Sequence, residues 1–155
     1  MPLSAPTIES NLLAILNPSS APESLQIASD RWATAYHSYA NSALAGVMVA
    51  TGLVKETISS AIMSDPDFFS GLSAGILSYW TAAVWAGPGF TGVTVNAAGL
   101  LQLLNPVRNQ LVSSKDVDLI KSANELSKTL HSYTKGITVS ATNVSSGATA
   151  VVTLE

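Results

Sequence analysis

Cysteine is absent from this chain, and charged residues are scarce. Without cysteine the chain can form no disulfide, thiolate metal site or cysteine nucleophile, so its stability has to come from burial or from assembly. Asp, Glu, Lys and Arg together make up 11% of the residues, against about 25% in an ordinary soluble domain. A surface with so little charge favours association with other proteins.

Positive charge is not concentrated anywhere in the sequence. The chain has 7 Lys and Arg against 10 Asp and Glu, for a net charge of -3. These basic residues are scattered, whereas a protein that binds nucleic acid needs a basic face to neutralise phosphates. We therefore expect no nucleic-acid partner.

The longest uncharged segment runs from Phe68 to Val107 and contains two of the three tryptophans. It is long enough to span a membrane, but the Gly-Pro-Gly sequence at 87–89 interrupts it and would leave unpaired backbone groups in lipid. A second uncharged segment, Ala33 to Val54, is rich in polar residues. No basic residue precedes Arg31, so neither a signal peptide nor a transit peptide is predicted. We expect these segments to be buried in the core or against neighbouring proteins, without membrane insertion.

Motifs that carry chemistry are missing from the sequence. His37 and His131 are the only histidines, and no further ligands stand at the spacing of a zinc site. The nearest match to the nucleophile turn of a hydrolase, 71–75, lies within a predicted helix and fits close helix packing better. The sequence therefore predicts no catalytic residue, cofactor, metal or small-molecule substrate, and no enzyme.

Two short motifs recur in the same order, which suggests a degenerate internal duplication. The segment 12–18 resembles 100–106, and both end in Asn-Pro; His-Ser-Tyr then follows at 37–39 and again at 131–133. We interpret the chain as a single domain, 1–155, with repeat halves at about 8–48 and 98–140 and a central helix-turn-strand unit at about 66–95.

Apolar residues with three- and four-residue spacing predict amphipathic helices around three tyrosines. The shared stripes are Trp32, Tyr36 and Tyr39; Leu72, Ile76 and Tyr79; and Leu126, Leu130 and Tyr133. Capping signals predict that the three helices begin near Ser20, Asp65 and Ser113 or Ser114. The first of these helices is predicted at about 21–46, the second begins near 66, and the third ends at Gly136. A further helix is predicted near 52–63. Two short helices, at about 8–16 and 98–104, are each terminated by Asn-Pro.

Strand patterns follow the second and third of these helices. Phe90 to Val95 alternates in a glycine-rich setting, and 137–144 with 148–154 flanks a Ser-Ser-Gly turn, as in a hairpin. Because an isolated hairpin is only marginally stable, the segment 91–95 or a neighbouring subunit is expected to supply a third strand. The fold class is therefore mostly α with a small antiparallel β-sheet (α+β).

Candidate contact residues come from the large apolar side chains that the predicted helices do not require. Trp80 aligns with Ala40 and Thr134, off the shared stripe, and an indole in such a place is typical of an interface anchor. The alternative is that the middle helix is buried on two sides. The candidate interface residues are Trp80, Trp85, Phe90, Ile137, Val139, Val151 and Val152.

The order of these features resembles small structural proteins of tailed bacteriophages and prophages. The resemblance covers most of the chain and depends on short motifs: Trp32, Ala35, Tyr36, Tyr39 and Ala40; Gly75, Ile76, Tyr79 and Trp80; Gly92, Val93 and Thr94; a second Asn-Pro; and a terminal hairpin. It implies a virion protein of the neck (head-tail connector), tail or baseplate, assembled in the host cytoplasm. The implied partners are other virion proteins and copies of itself.

Two other functions stay open from the sequence alone. A small membrane-active protein of the lysis type would use the uncharged segments for insertion. A hydrolase would have to bring scattered Ser, His and Asp residues together in one cleft. For the virion protein, we expect a chain truncated after Gly136 to fold but to fail in assembly.

Overall fold

A computed structural model describes residues 3–17, 19, 21–97, 99–113 and 118–155. They form six helices and two antiparallel sheets of three strands each, which confirms the mostly-α α+β class. The helices are α1 (Ala5–Leu16), α2 (Leu25–Ala40), α3 (Glu56–Ser64), α4 (Phe68–Thr81), α5 (Leu100–Ser113) and α6 (Leu119–Gly136). The strands are β1 (Leu44–Ala45), β2 (Met48–Thr51), β3 (Val84–Ala86), β4 (Phe90–Asn96), β5 (Thr138–Asn143) and β6 (Thr149–Thr153).

The predicted stripes do form the core. Tyr36, Ile76 and Leu130 are buried, as are their stripe neighbours except Trp32, which is partly buried and meets Phe68 edge to face. The stripes of α2, α4 and α6 therefore face one another, as helices that each bury one apolar side must.

Helix starts differ from the predicted ones by a few residues. The side chain of Ser24 accepts a hydrogen bond from the Ile27 amide and begins α2, so a helix from residue 21 is wrong; Ser20 lies outside the described residues. Asp67, two residues after the predicted cap, begins α4, while the Asp65 carboxylate accepts the Asp67 amide. Asp118 caps α6, whereas Ser113, one of the two predicted caps, is the last residue of α5, and Ser114 lies outside the described residues. Helix α6 ends at Gly136 as predicted.

The second Asn-Pro does not end its helix. Helix α5 continues through Pro106 to Ser113, although proline removes one backbone hydrogen bond there. Leu100, Leu104 and Val107 lie at helical spacing and are all buried, and this burial outweighs the lost bond. The first Asn-Pro behaves as predicted, since α1 ends at Leu16 with Asn17 as its C-cap.

Two glycines let α3 and α4 pack at close range. A Cβ atom on Gly71 would lie 2.8 Å from the Cα of Ile62, and one on Gly75 would lie 2.8 Å from the Cα of Ile58. This is the close helix packing expected for 71–75, in place of a nucleophile turn.

At the start of α4, Asp67 forms an ion pair with Arg108. These two residues border the long uncharged segment, so its two ends lie next to each other.

The long sheet, β4–β5–β6, is the predicted one. β5 lies in its centre and pairs with β4 and with β6, so the third strand comes from the same chain. Gly92, at φ 63°, lies at an irregularity of the β4–β5 register between Thr91 and Thr94, as in a glycine bulge.

The short sheet, β1–β2–β3, was not predicted, and it ends α2 at Ala40 where the sequence pattern suggested 46. β2 pairs with β3 across a separation of more than thirty residues, which local periodicity does not report. Leu44 and Glu155 also exchange two backbone hydrogen bonds, of 3.1 and 2.8 Å. This pair links β1 of the short sheet to the residues that follow β6.

The terminal hairpin is part of the core. Ile137, Val139, Ala141 and Leu154 are all buried. This burial argues against the expectation that a chain ending at Gly136 folds, because that truncation would remove these side chains and two strands of the long sheet.

Candidate functional site

A directed chain of hydrogen bonds joins α2, α4 and α6 in the interior. The indole N–H of Trp80 donates to the Tyr36 hydroxyl over 2.8 Å, and Tyr36 shares a 2.7 Å hydrogen bond with Thr134. Because the Thr134 hydroxyl donates to the Leu130 carbonyl, the proton between Tyr36 and Thr134 belongs to Tyr36. Every donor is used, and burial raises the pKa of Tyr36 well above its ordinary value.

Trp80 is therefore not an exposed anchor. Its side chain is 0% exposed, and so are Ala40 and Thr134, the residues aligned with it. The position one past the tyrosine faces the core in all three helices, and the smaller alanine and threonine leave room for the indole. The alternative interpretation, a middle helix buried on two sides, is the correct one.

The two histidines each bond a tyrosine of a neighbouring helix. His37 Nδ1 lies 2.9 Å from the Tyr79 hydroxyl, and His131 Nδ1 lies 2.7 Å from the Tyr39 hydroxyl. Burial and the nearby Lys135 lower the pKa of His131. Each imidazole ring is thus hydrogen-bonded to a phenol. Within the described part of the chain, no group of three or more His, Cys, Asp or Glu is placed to hold a metal.

Three more of the seven candidate interface residues belong to the core. Trp85 is 4% exposed and stacks on Trp80 with ring centroids 6.1 Å apart. Ile137 and Val139 point inward from the start of the hairpin. The prediction that these three side chains contact a partner is wrong for the folded chain, because each is already buried against neighbours within its own chain.

Phe90 and Val152 are partly buried, and Val151 is the one candidate that is well exposed, at 64%. The Trp85 indole N–H is buried without a hydrogen-bond acceptor, and among the described residues it is the only buried side-chain polar atom that has no partner. An unpaired buried donor costs free energy.

The outer side of the long sheet is uncharged and mostly hydroxylic. The strand register places nine side chains there in three rows, none of them charged. The rows are Asn96, Thr138 and Thr153; Thr94, Ser140 and Val151; and Thr91, Thr142 and Thr149.

The outer side of the short sheet is apolar. Ala45, Met48, Ala50 and Trp85 point into the core, so the alternating residues point outward: Leu44, Val49, Thr51, Val84 and Ala86, which we call the valine face. Val49 is 51% exposed and Val84 is 61% exposed. A sheet with one solvated side normally alternates apolar and polar residues, whereas strands that are apolar on both sides are usually covered on both.

The two outer sides form one surface. Glu155 follows Thr153 at a two-residue step and pairs directly with Leu44, and directly paired residues point to the same side of a sheet. We call this combined surface the uncharged strand face, because the outward residues of its strands carry no charge; Glu155 lies at the junction of its two halves. The sequence signal for its apolar half was the apolar run from Ala43 to Ala50, in which Gly46 is the one residue without a side chain; such a run is typical of a strand covered on both sides.

An open groove of about 510 Å³ separates α1 from α2. Ile15, Ile27, Asp30 and Thr34 are among its lining residues, which include no histidine and a single carboxylate. Its lining therefore lacks the paired acid and base that general acid–base catalysis uses.

Among the described residues, no helix is both long enough and apolar enough to cross a membrane. The chain matches no protein-family profile, no curated protein sequence and no solved structure.

Proposed function

We propose that this chain is a structural component of a tailed-phage virion, in the neck, tail or baseplate, and that it acts through contacts with other virion proteins and with copies of itself. The uncharged strand face carries this proposal. It joins two sheets through the Leu44–Glu155 pair, and it exposes valines on strands whose outward residues carry no charge. In this proposal the protein works without catalysis or cofactor, and its location is the virion after assembly in the host cytoplasm.

Burying such a surface against another protein costs little electrostatic free energy. A charged side chain that loses its water without gaining a partner is strongly destabilising, and the outward residues of the six strands include none; Glu155, at the junction of the two sheets, is the exception. Exposed apolar patches framed by polar residues are characteristic of protein–protein contact sites, and the hydroxyl rows beside the valine face provide such a frame. The strands are held from within by the core, so the surface is preformed and little ordering entropy is lost on binding.

The test is the composition of purified particles from a host that produces the phage encoding this chain. We expect mass spectrometry to detect the chain in density-purified particles, in several copies per particle. A chain carrying Val49→Lys and Val84→Lys should fold with an unchanged melting temperature but be missing from particles, because each lysine would have to be desolvated in the contact.

Val144→Lys is the matched control for that experiment, because Val144, at 64%, is about as exposed as Val84, at 61%, but lies at the hairpin turn, outside the strand face. We expect this variant to be incorporated normally. Particles that assemble with full infectivity and lack the wild-type chain would overturn the proposal.

A further inference from the structure

A smaller pocket, of about 260 Å³, lies among the helices. Its lining residues, within the described part of the chain, come from α1, α2, α4, α5 and α6: Leu16, Trp32, Phe68, Phe69, Leu111, Ser122 and Leu126. None of these seven residues is charged, and none belongs to the uncharged strand face. Apolar pockets between packed helices that also present a polar group are typical sites for small ligands.

The hydroxyl of Ser122 is available to a ligand in this pocket. Ser122 is only 6% exposed. Three other hydroxyls of α6, those of Ser127, Thr129 and Thr134, each donate to a backbone carbonyl three or four residues earlier, whereas the Ser122 hydroxyl has no hydrogen bond within the described part of the chain. Unlike the Trp85 N–H, the Ser122 oxygen is not fully enclosed, so it is accessible through the pocket that it lines. A hydroxyl in such a place can pair with a donor or an acceptor that enters the pocket.

Three aromatic rings contribute to the lining. Trp32 meets Phe68 edge to face with ring centroids 4.9 Å apart, and Phe68 meets Phe69 in the same way at 5.1 Å. Trp32 and Phe68 are only partly buried, so part of their ring surface is open to a further ring. Aromatic rings attract one another in such offset and edge-to-face arrangements beyond the area that they bury. The walls therefore favour an aromatic ligand over an aliphatic one of equal size.

We infer that this pocket binds a neutral aromatic group of about the size of indole, whose N–H donates to the Ser122 hydroxyl oxygen while its rings pack against Trp32 and Phe68. A cavity of about 150 Å³ holds a benzene molecule, so a pocket of about 260 Å³ has room for a bicyclic ring. A charged group would lose its water there without an opposite charge in the lining. The ring can belong to a free small molecule or to a tryptophan of another protein.

An NMR titration of the ¹⁵N-labelled chain with indole tests this site. We expect saturable shifts of the amides around the pocket, with a dissociation constant of about 1 mM or lower. Indene has the same bicyclic shape without the N–H, so it should bind about fivefold more weakly. Ser122→Ala should weaken indole binding about fivefold and leave indene binding unchanged. The preference for indole over indene should therefore disappear in this variant.

Ser127→Ala is the matched control, because Ser127 is also a buried serine of α6, at 2% exposure, but is not a lining residue of the pocket. Its affinity for indole should equal that of the wild-type chain. Leu111→Trp places an indole of the chain itself in the pocket. This variant should no longer bind indole, and it should keep the wild-type melting temperature because the added ring fills existing space.

N-acetyl-tryptophanamide distinguishes the two sources of the ring, because it carries the backbone that a protein partner would bring. If it binds at the pocket, the ring can come from a partner's tryptophan; if only indole binds, the ligand is a free small molecule. The absence of saturable shifts up to the solubility limit of indole would overturn the inference, as would equal affinities of the wild-type and Ser122→Ala chains for indole. Incorporation into particles does not enter this experiment, so the pocket and the proposed function can fail separately.

Discussion

At the scale of single residues, the buried hydrogen-bond chain explains why the Trp80 side chain can lie in the core. An indole has one donor, and a buried indole needs an acceptor; Tyr36 supplies it for Trp80. The tyrosine hydroxyl can accept because its own proton goes to Thr134, whose proton goes in turn to the Leu130 carbonyl. These hydrogen bonds connect α2, α4 and α6 and hold the three helices in one relative position.

Tyr36→Phe should test this chain, because it leaves the Trp80 N–H buried without an acceptor while Thr134 keeps its bond to Leu130. We expect the free energy of unfolding to fall by about 1–3 kcal/mol, measured by urea denaturation. Adding Trp80→Phe removes the orphaned donor, so the double variant should lose less than the sum of the two single losses. Tyr79→Phe is the control: its phenol meets His37 in a partly buried place, where water can replace it, so its effect should be smaller. Strict additivity would show that Trp80 and Tyr36 are not coupled.

At the scale of elements, α3 and α4 pack at short range through two glycines of α4. Leu72 and Ile76 face the core from α4, while Gly71 and Gly75 face the backbone of α3. A helix with glycines on one side and large apolar residues on another is buried on both, which is why α4 carries no charge along its length. Its interior glycines cost helix propensity, and the close approach of the two backbones compensates for this.

Gly75→Ala should therefore destabilise the fold, although alanine is the better helix former. Its Cβ atom would come within 2.8 Å of the Ile58 Cα, and backbone atoms cannot move aside as the end of a side chain can. We expect a loss of about 1–3 kcal/mol and a lower melting temperature. Gly136→Ala is the control: it lies at the end of α6 with no atom within 4 Å of the added Cβ, so it should be neutral or stabilise by up to about 1 kcal/mol. Equal stability of the two variants would contradict close packing of α3 on α4.

At the scale of the whole molecule, the end of the chain returns to its first half. Glu155 pairs with Leu44, and Leu154 is buried beside the helical core. The hairpin is thus a structural layer of the domain, and the surface left for partners is its outer side.

A chain ending at Gly136 should consequently lose cooperative unfolding altogether. It would lack Ile137, Val139, Ala141 and Leu154 from the core, and each large-to-small loss of this kind costs about 1–5 kcal/mol, against a total stability of about 5–15 kcal/mol. Circular dichroism during heating measures this, with Glu155→Ala as the control, since that change keeps the backbone bonds to Leu44. A truncated chain that melts at the wild-type temperature would show that the hairpin is dispensable for folding.

The candidate surface was harder to predict than the fold. Val151 was among the predicted interface residues and is exposed, but Val49 and Val84 were not among them, since β2 and β3 are short and lack a clear alternation of polar and apolar residues. Trp80 and Trp85 were proposed for the surface because tryptophan is frequent at interfaces, yet side-chain type does not report whether a residue has neighbours within its own chain. The internal duplication stays a prediction.

The sequence by itself determined the stripes of α2, α4 and α6, the end of α6 at Gly136 and the terminal hairpin, because these depend on residues a few positions apart whose periodicity is written locally. Only the tertiary structure decided that α5 continues through Pro106, that 44–51 joins 84–86 in a sheet, and which apolar residues stay exposed. Those outcomes depend on burial between segments far apart in the chain. The same valine is core or surface according to whether a distant strand or helix happens to cover it.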